Sequence, residues 1–258
     1  MRVLVTGVGG PAGDSVLRQL RHRGIETVGA DLVPSGPQVE PVPPGHAPGF
    51  PAALTELARR HLVDLAIPTV SEELVPLAAL GDPRIVVGPA EAVAIADDKW
   101  LTFLLLREVG VAVPWSCLAG DPVPGGTPLL SKPRVGRGGR GVVLHEDDVP
   151  ARDRGRIVQE LLSDEEYVVN LYLTDDPGRD VVDVLEKDVR CVRPAHAPDV
   201  AALAWSAAAA IGLRGPVDVD VRRGSDGRPA VLDVNARFGA HSARTPAVLD
   251  ALLAEHRC

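Results

Sequence analysis

The feature that most constrains the fold of this chain is a predicted β-hairpin near its C-terminus, over residues 216–238. Two segments of alternating apolar and polar residues flank a Ser-Asp-Gly turn at 225–227, which is typical of paired antiparallel strands. Side chains two residues apart share one face of a strand, so Asp220 is expected beside Asp233 and Asn235. Arg237 follows on the same face. The hairpin therefore predicts a cluster of oxygen ligands next to a cation, although a solvated polar face is the alternative.

Such a cluster points to a metal and a phosphate. Carboxylate and amide oxygens are the ligands that Mg²⁺ prefers, and protein-bound Mg²⁺ commonly also contacts phosphate groups. We therefore interpret Asp220, Asp233 and Asn235 as metal ligands for Mg²⁺, with Mn²⁺ as an alternative ion. The cysteines show no metal-binding spacing, and their odd number argues against a disulfide framework. Cys117 and Cys191 are expected to be core residues.

The N-terminal third of the chain alternates strands and helices. A strand over 2–6 leads into a glycine-rich turn over 7–13, a helix over 14–23, and a strand over 27–30 that ends at Asp31. Further strands are expected at 65–68 and 85–87, and a surface loop at 34–51. The alternation predicts a small doubly wound α/β domain that opens as a Rossmann-like unit. The glycine spacing matches a dinucleotide motif only loosely, so nicotinamide binding and simple helix packing are both open.

A second glycine-rich segment lies between two strands in the middle of the chain. The strand over 129–133 carries Lys132, and the segment 136–141 has the sequence Gly-Arg-Gly-Gly-Arg-Gly. Backbone N–H groups of such a loop can close over phosphate oxygens, and its flexibility lets a ligand leave. The alternative is an ordinary flexible hairpin. Lys99 follows two aspartates that are expected to cap a helix, and alone it would be a surface lysine.

Bulk properties exclude several classes of function. The chain has 258 residues and a formal net charge of −8, which argues against nucleic acid as a partner. Its apolar segments are too short to span a membrane, and its N-terminus does not look like a signal peptide. We therefore expect a cytoplasmic protein. Basic residues on the late strands are candidate contacts for an anionic group of a substrate, or else part of an exposed sheet face: Lys187, Arg190 and Arg193. His241 is a further candidate contact.

Taken in order, these motifs resemble the ATP-grasp superfamily, most closely its carbamoyl-phosphate-synthetase-like branch. The resemblance extends over essentially the whole chain, and its motifs are Lys99, Ser131-Lys132-Pro133, the glycine-rich segment 136–141, Gln159–Leu162, Glu166-Tyr167, Asp220 and Leu232–Arg237.

The resemblance implies a role for each motif. Lys99 and Lys132 would contact the phosphates of ATP. The backbone of Glu160, Leu161 and Leu162 would bind the adenine edge, and Glu166 the ribose hydroxyls. The lid would consist of Gly136, Arg137, Gly138, Gly139 and Gly141. Asp220, Asp233 and Asn235 would hold the metal, and the catalytic cations would be Arg237 and Lys132.

The resemblance also implies a fold and an activity. The fold would be a Rossmann-like domain over 1–97 followed by two α+β subdomains over 98–160 and 161–258. The activity would be an ADP-forming ligase that joins a small, amino-acid-like carboxylate to an amine. Aspartates stand where the family usually has glutamates, and Ala236 replaces its proline. A non-catalytic or regulatory nucleotide-binding module is therefore the alternative. A homodimer is one arrangement that the sequence allows.

Overall fold

The N-terminal region is a parallel sheet covered by helices on both faces. The computed structural model describes residues 1–34, 36, 38–126, 128–145, 152–188 and 191–256. The first four strands pair in the order β3-β2-β1-β4, all parallel. They are β1 (Arg2–Thr6), β2 (Glu26–Asp31), β3 (Val39–Pro41) and β4 (Leu65–Ile67). The helices are α1 (Pro11–His22), α2 (Phe50–Arg60), α3 (Ser71–Ala78) and α4 (Ala90–Asp97).

Alternation along β1 separates two hydrophobic cores. Val3 and Val5 face α1, whereas Leu4 faces the opposite side with Phe50 and Leu54 of α2. A parallel sheet that is buried on both faces requires such a continuous apolar strand. The expected strand–helix alternation is thus present, while the assignment of this unit to the Rossmann-like class stays a prediction.

Two local predictions in this region are wrong. The segment 34–51 is not only a loop, because β3 pairs with β2 and α2 begins at Phe50. Residues 85–87 form no strand, and Ile85 makes only an isolated bridge to Ala66. Both errors concern the sheet edge, where pairing depends on neighbours distant in sequence rather than on the local pattern.

A smaller antiparallel sheet follows, with strand order β5-β8-β6-β7. Its elements are α5 (Lys99–Glu108), β5 (Ser116–Ala119), β6 (Leu129–Pro133), β7 (Val143–His145) and β8 (Asp153–Glu160). The Asp98 side chain accepts hydrogen bonds from the backbone N–H groups of Trp100 and Leu101, so it caps α5 as expected. Cys117 is buried in the core of this sheet.

The larger antiparallel sheet has the order β11-β10-β9-β12-β13. Its strands are β9 (Glu166–Leu173), β10 (Val181–Lys187), β11 (Val192–Pro194), β12 (Gly215–Arg223) and β13 (Pro229–Asn235). The helix α6 (Pro198–Ile211) covers one face, where Val217, Val219 and Val221 of β12 are buried. The alternate residues of β12 therefore face the other side, toward a cleft.

The last helix, α7 (Pro246–Glu255), connects the large sheet to the N-terminal region. Leu249 and Leu252 of α7 share one hydrophobic core with Val3 and Leu20. Cys191 is exposed, so its prediction as a core residue is wrong. The proposed division at residues 97 and 160 stays a prediction. None of the helices in the described parts of the chain combines the length and apolarity that a membrane crossing needs.

Candidate functional site

A large cleft lies between the two antiparallel sheets and the N-terminal region. Its volume is about 540 Å³. The glycine-rich turn of the N-terminal region lines one end, through Gly7 and Gly10–Gly13. All but one of the residues that the sequence assigned to nucleotide, metal or catalysis line this single cleft: Lys99, Lys132, Gly136, Arg137, Gly138, Gly139, Glu160, Leu161, Leu162, Glu166, Asp220, Asp233, Asn235 and Arg237. Gly141 is the exception, and its carbonyl accepts a hydrogen bond from Arg156 at 2.7 Å.

The hairpin of β12 and β13 forms one side of the cleft, which we call the acidic wall (Asp218, Asp220, Asp233, Asn235 and Arg237). Asp220 lies directly opposite Asp233 in the strand register, as the sequence predicts. Asn235 lies opposite Asp218 instead, one pair further along. A register shift between Asp220 and Val221 follows the acidic pair. The wall thus presents two neighbouring cross-strand pairs, Asp220 with Asp233 and Asp218 with Asn235, rather than one cluster of three side chains.

The carboxyl groups of Asp218 and Asp220 on the acidic wall are poorly solvated. Burial, followed by the nearby charges of Asp218 and Asp233, raises the pKa of Asp220 to about 8. Burial also raises the pKa of Asp218, although Arg237 opposes this shift. The Oδ1 atom of Asp218 has no hydrogen-bond partner among the described residues.

The donor set of the wall suits a hard divalent cation such as Mg²⁺. Among the described residues, no three His, Cys, Asp or Glu side chains form a metal cluster. The two facing carboxylates and the Asn235 amide are all oxygen donors, and Mg²⁺ is commonly held by one or two carboxylates together with substrate phosphates. The crowding of Asp220 and Asp233 is what a cation would relieve.

Arg237 is held rigidly at the end of the wall. Its guanidinium donates to Phe238 O at 2.8 Å, Asn235 Oδ1 at 3.2 Å and Asp218 Oδ2 at 3.4 Å. Its Nε also donates to Ser71 Oγ of α3 at 3.3 Å. Acceptors from two strands, a loop and the N-terminal region therefore fix the orientation of this cation.

The two predicted lysines meet the acidic wall from the opposite side. Lys132 is buried, and its Nζ donates to Leu232 O at 3.0 Å. Burial lowers the Lys132 pKa, while Asp233 and Asp220 favour its charged form. Lys99 Nζ lies 3.3 Å from Asp233 Oδ2 and donates to Gly136 O at 2.7 Å. Both amines thus converge on Asp233 from separate elements, α5 and β6.

The glycine-rich lid (residues 136–141) covers the cleft with few contacts. Four of its glycines have positive φ, and around Gly138 and Gly139 no described atom lies within 4 Å of an added Cβ. Arg137 is an exception to this looseness, because its Nε lies 2.7 Å from Glu72 Oε2 of α3. Partial burial opposes ionisation of Glu72, but Arg137 is among the groups that bring its pKa below the usual value.

The segment 160–162 has one amide available for a ligand. The Glu160 N–H donates to Trp115 O and the Leu161 N–H to Pro128 O, each at 2.9 Å. The described residues offer no acceptor to the Leu162 N–H. Nearby, both carboxylate oxygens of Glu166 are engaged, one by Lys187 and the other by Arg222 at 2.8 Å.

Sequence reasoning missed several side chains of the cleft. The alternation of the sequence places Asp218 on the same face of β12 as Asp220, but Asp218 was assigned no role in the predicted site. Arg222 follows Asp220 at the same spacing and could have been identified in the same way. Ser71 and Glu72 reach the site from a distant helix, and their local sequence contains no signal for this. Of the candidate substrate contacts, Lys187 and His241 line the cleft, Arg193 pairs with Glu186, and Arg190 lies outside the described residues.

The glycine turn of the N-terminal region has a structural explanation. The Gly9 N–H donates to Asp31 Oδ2 at 2.8 Å, so the Asp31 carboxylate stabilises the turn by a hydrogen bond to its backbone. A Cβ on Gly13 would lie 2.3 Å from Gly7 O, so glycine is needed for α1 to approach this turn. These contacts account for the motif as a packing device, which was one of the two interpretations left open by the sequence.

Comparison with known proteins identifies the family. The family profile described as "ATP-grasp domain" matches residues 96–241, more than half of the chain. The chain belongs to the ATP-grasp family. The matched range includes both sheets of the cleft, the lid and the acidic wall of this ATP-grasp protein. A search of curated proteins gave no significant match.

Solved structures share the fold at low sequence identity. An L-amino acid ligase from Bacillus licheniformis is 17% identical with a TM-score of 0.70, over 96% of this chain and 69% of that one. An N5-carboxyaminoimidazole ribonucleotide synthetase from Thermotoga maritima is 18% identical with a TM-score of 0.69, over 92% and 68%. A D-alanine–D-alanine ligase from Bacillus anthracis is 15% identical with a TM-score of 0.65, over 99% and 96%. The whole chain thus adopts the mixed α/β fold of ATP-grasp proteins.

Proposed function

We propose that this ATP-grasp protein is an ADP-forming ligase that joins a small, amino-acid-like carboxylate to an amine. The observation that carries the proposal is the convergence of Lys99, Lys132 and Arg237 on the acidic wall inside one cleft. Three cations around two facing carboxylates suit a polyphosphate with its metal ion better than any uncharged ligand. The ligases with the same fold support this choice of reaction class.

The reaction would proceed in two steps. A carboxylate oxygen of the first substrate attacks the γ-phosphorus of ATP, and the bond from that phosphorus to the β–γ bridging oxygen breaks, which releases ADP. The nitrogen of the amine then attacks the carbonyl carbon of the acyl phosphate. The carbon–oxygen bond to phosphate breaks, inorganic phosphate leaves, and the nitrogen loses a proton to give the amide.

The side chains of the chain would act mainly by position and charge. Lys132 and Lys99 bind phosphate oxygens as compact charges, and Arg237 stabilises the negative charge that develops on the transferred phosphoryl group. The lid covers the cleft and excludes water from the acyl phosphate, which would otherwise hydrolyse. The Leu162 N–H meets the adenine edge, and Glu166 accepts from the ribose hydroxyls.

Asp220, Asp233 and Asn235 would hold the metal ion. When bound, Mg²⁺ would supply positive charge that offsets the negative charge of the phosphates. The Asp220 side chain must lose its proton to act as a ligand, and its pKa of about 8 makes this step dependent on pH. Aspartate reaches less far than glutamate, and Asp220 and Asp233 are direct cross-strand partners in the hairpin.

The proposal is tested by a matrix of amino acids and small acids, each combined with candidate amines, in which ADP release is measured. We expect stimulation by at least one pair, and its loss in Asp233→Asn and Lys132→Ala, while both variants keep the native circular dichroism spectrum. ADP release that survives both substitutions would overturn the residue assignment. Binding of Mg·ATP without turnover under any pair would favour the nucleotide-binding module instead.

A further inference from the structure

The first turn of α3 connects the N-terminal region to two of the arginines that line the cleft, Arg137 and Arg237. Ser71 Oγ accepts a hydrogen bond from Arg237 Nε at 3.3 Å, and Glu72 Oε2 pairs with Arg137 Nε at 2.7 Å. The two residues are adjacent in sequence, yet one contacts the acidic wall and the other contacts the lid. The same turn therefore touches the two sides of the cleft at once.

This turn is fixed to the N-terminal sheet by a buried network. Glu73, the next residue, accepts a hydrogen bond from Thr6 Oγ1 at the end of β1. Thr69 donates to Thr6 twice, from its N–H at 3.1 Å and from its hydroxyl at 2.7 Å. All three side chains are buried. A hydrogen-bonded network of this kind holds its members in one geometry, so Ser71 and Glu72 extend from a rigid base.

The lid has little else to hold it. At Gly138 and Gly139, no described atom lies within 4 Å of the position that a Cβ would take. Both residues have a left-handed backbone conformation here, and glycine can adopt many others. The ion pair with Glu72 is partly shielded, because Arg137 is 33% exposed and Glu72 34% exposed. Lys99 and Arg156 bind only the ends of the lid, at Gly136 and Gly141.

We propose that Ser71 and Glu72 are positioning residues, which hold Arg237 and Arg137 in the orientations that a bound polyphosphate requires. Ser71 completes the set of acceptors around Arg237, and Glu72 keeps the middle of the lid over the cleft. The N-terminal region thereby contributes to the phosphate site without contacting phosphate itself. The part that concerns phosphate rests on the proposed function, whereas the restraint on the lid does not.

The restraint on the lid is tested by limited trypsin digestion in the absence of nucleotide. Trypsin cleaves after Arg137 and Arg140 when the lid opens, and mass spectrometry identifies the fragments. Loss of a partly shielded ion pair in Glu72→Gln should increase the cleavage rate about three-fold, with an unchanged melting temperature. The matched control is Glu56→Gln, which breaks an exposed pair with Arg59 on α2 and should leave lid cleavage unchanged. Cleavage of Glu72→Gln at the wild-type rate would overturn this role.

The role of Ser71 is tested by ADP release with an active substrate pair. Ser71→Ala should lower kcat about ten-fold with little change in KM for ATP, because it removes an acceptor from a charged donor. Ser71→Thr keeps the hydroxyl and should restore kcat. Wild-type kcat in Ser71→Ala, or equal losses in both variants, would contradict the inference. If the wild type itself releases no ADP with any substrates, the proposed function fails, while trypsin cleavage still decides the role of Glu72.

Discussion

The acidic wall and the glycine-rich lid face each other across the cleft and are built in opposite ways. Asp218 is buried on the wall, and Arg237 makes four hydrogen bonds there. In the lid, Gly138 and Gly139 have open space around them and a backbone conformation that other residues rarely adopt. One side of the cleft is therefore preorganised, whereas the other is held by few contacts.

The contrast matches two physical demands of the phosphoryl transfer that we propose. Stabilising a developing charge requires dipoles and cations that are already in place, because reorganising them during the reaction would cost energy. Admitting and releasing a nucleotide requires a cover with low local stability. Substitutions on the wall should therefore change turnover or stability strongly, and substitutions in the lid should change affinity mildly.

The largest effect is expected from Arg237→Lys on the wall. Lysine keeps the charge but loses the planar fork that binds several acceptors at once, so kcat for ADP release should fall about 100-fold. KM for ATP should change little. The matched control is Arg244→Lys, an exposed arginine in the same C-terminal segment. Steady-state kinetics within two-fold of the wild type would show that the wall does not depend on this orientation.

The buried carboxyl group of Glu73 should make the stability of the protein depend on pH. Burial raises the pKa of Glu73 to about 7, from an ordinary value of 4.5. The folded state therefore binds a proton that the unfolded state releases, and its stabilisation is complete below about pH 4.5 and lost as pH rises through about 7. This difference in pKa between the folded and unfolded states contributes on the order of 3 kcal/mol to the free energy of unfolding at low pH.

Urea unfolding between pH 5 and 8 measures this pH-dependent contribution of Glu73 to stability, and Glu73→Gln should remove it. The variant should therefore gain stability relative to the wild type as pH rises. Glu91→Gln, which changes an exposed acid on α4, should follow the wild-type profile. Parallel pH profiles for the wild type and Glu73→Gln would mean that this acid does not retain its proton in the folded protein.

Glycine to alanine substitutions compare the two sides directly, and the wall should be less tolerant. A Cβ on Gly239 would lie 2.2 Å from Asp218 Oδ1 and 3.0 Å from Asn170 Oδ1, and both of these side chains are buried. Overpacking of this kind should lower the free energy of unfolding by about 2 kcal/mol. Urea unfolding at pH 7 measures the loss, and an unchanged midpoint would show that the loop after β13 can move away.

The same substitution in the lid should have the smallest effect. Gly138 has a φ of +62° and space around it, so alanine costs only backbone strain, about 1 kcal/mol. The dissociation constant for Mg·ATP should rise about five-fold, because the closed conformation of the lid becomes less populated. The urea midpoint should fall by less than that of Gly239→Ala. A loss of global stability equal to that of Gly239→Ala would remove the distinction between the two sides.

The sequence was informative where function depends on local pattern. The alternation of β12 and β13 predicted that Asp220 faces Asp233, because period-two spacing determines which face a side chain occupies. The glycines of segment 136–141 likewise indicated a loop with few packing contacts. The pairing of Asn235 with Asp218 was not, because register between strands depends on the turn as well as on the pattern.

Contacts that join distant parts of the chain could not be read from the sequence. Ser71 lies 166 residues from Arg237 and Glu72 lies 65 residues from Arg137. Neither residue belongs to a recognisable motif, and their positions follow from how α3 packs beside the cleft. The ion pairs of Glu166 could not be read from the sequence either, because Lys187 and Arg222 lie on the two strands that flank its own strand, β10 and β12.

Calorimetric titration tests most directly whether the acidic wall, the two lysines and the lid form one Mg·ATP site. A non-hydrolysable ATP analogue should bind the wild type at one site per chain and only in the presence of Mg²⁺. Lys132→Ala should weaken this binding at least about ten-fold, because it removes a buried charge next to Asp233. Absence of binding to the wild type, or equal affinity in Lys132→Ala, would contradict the account.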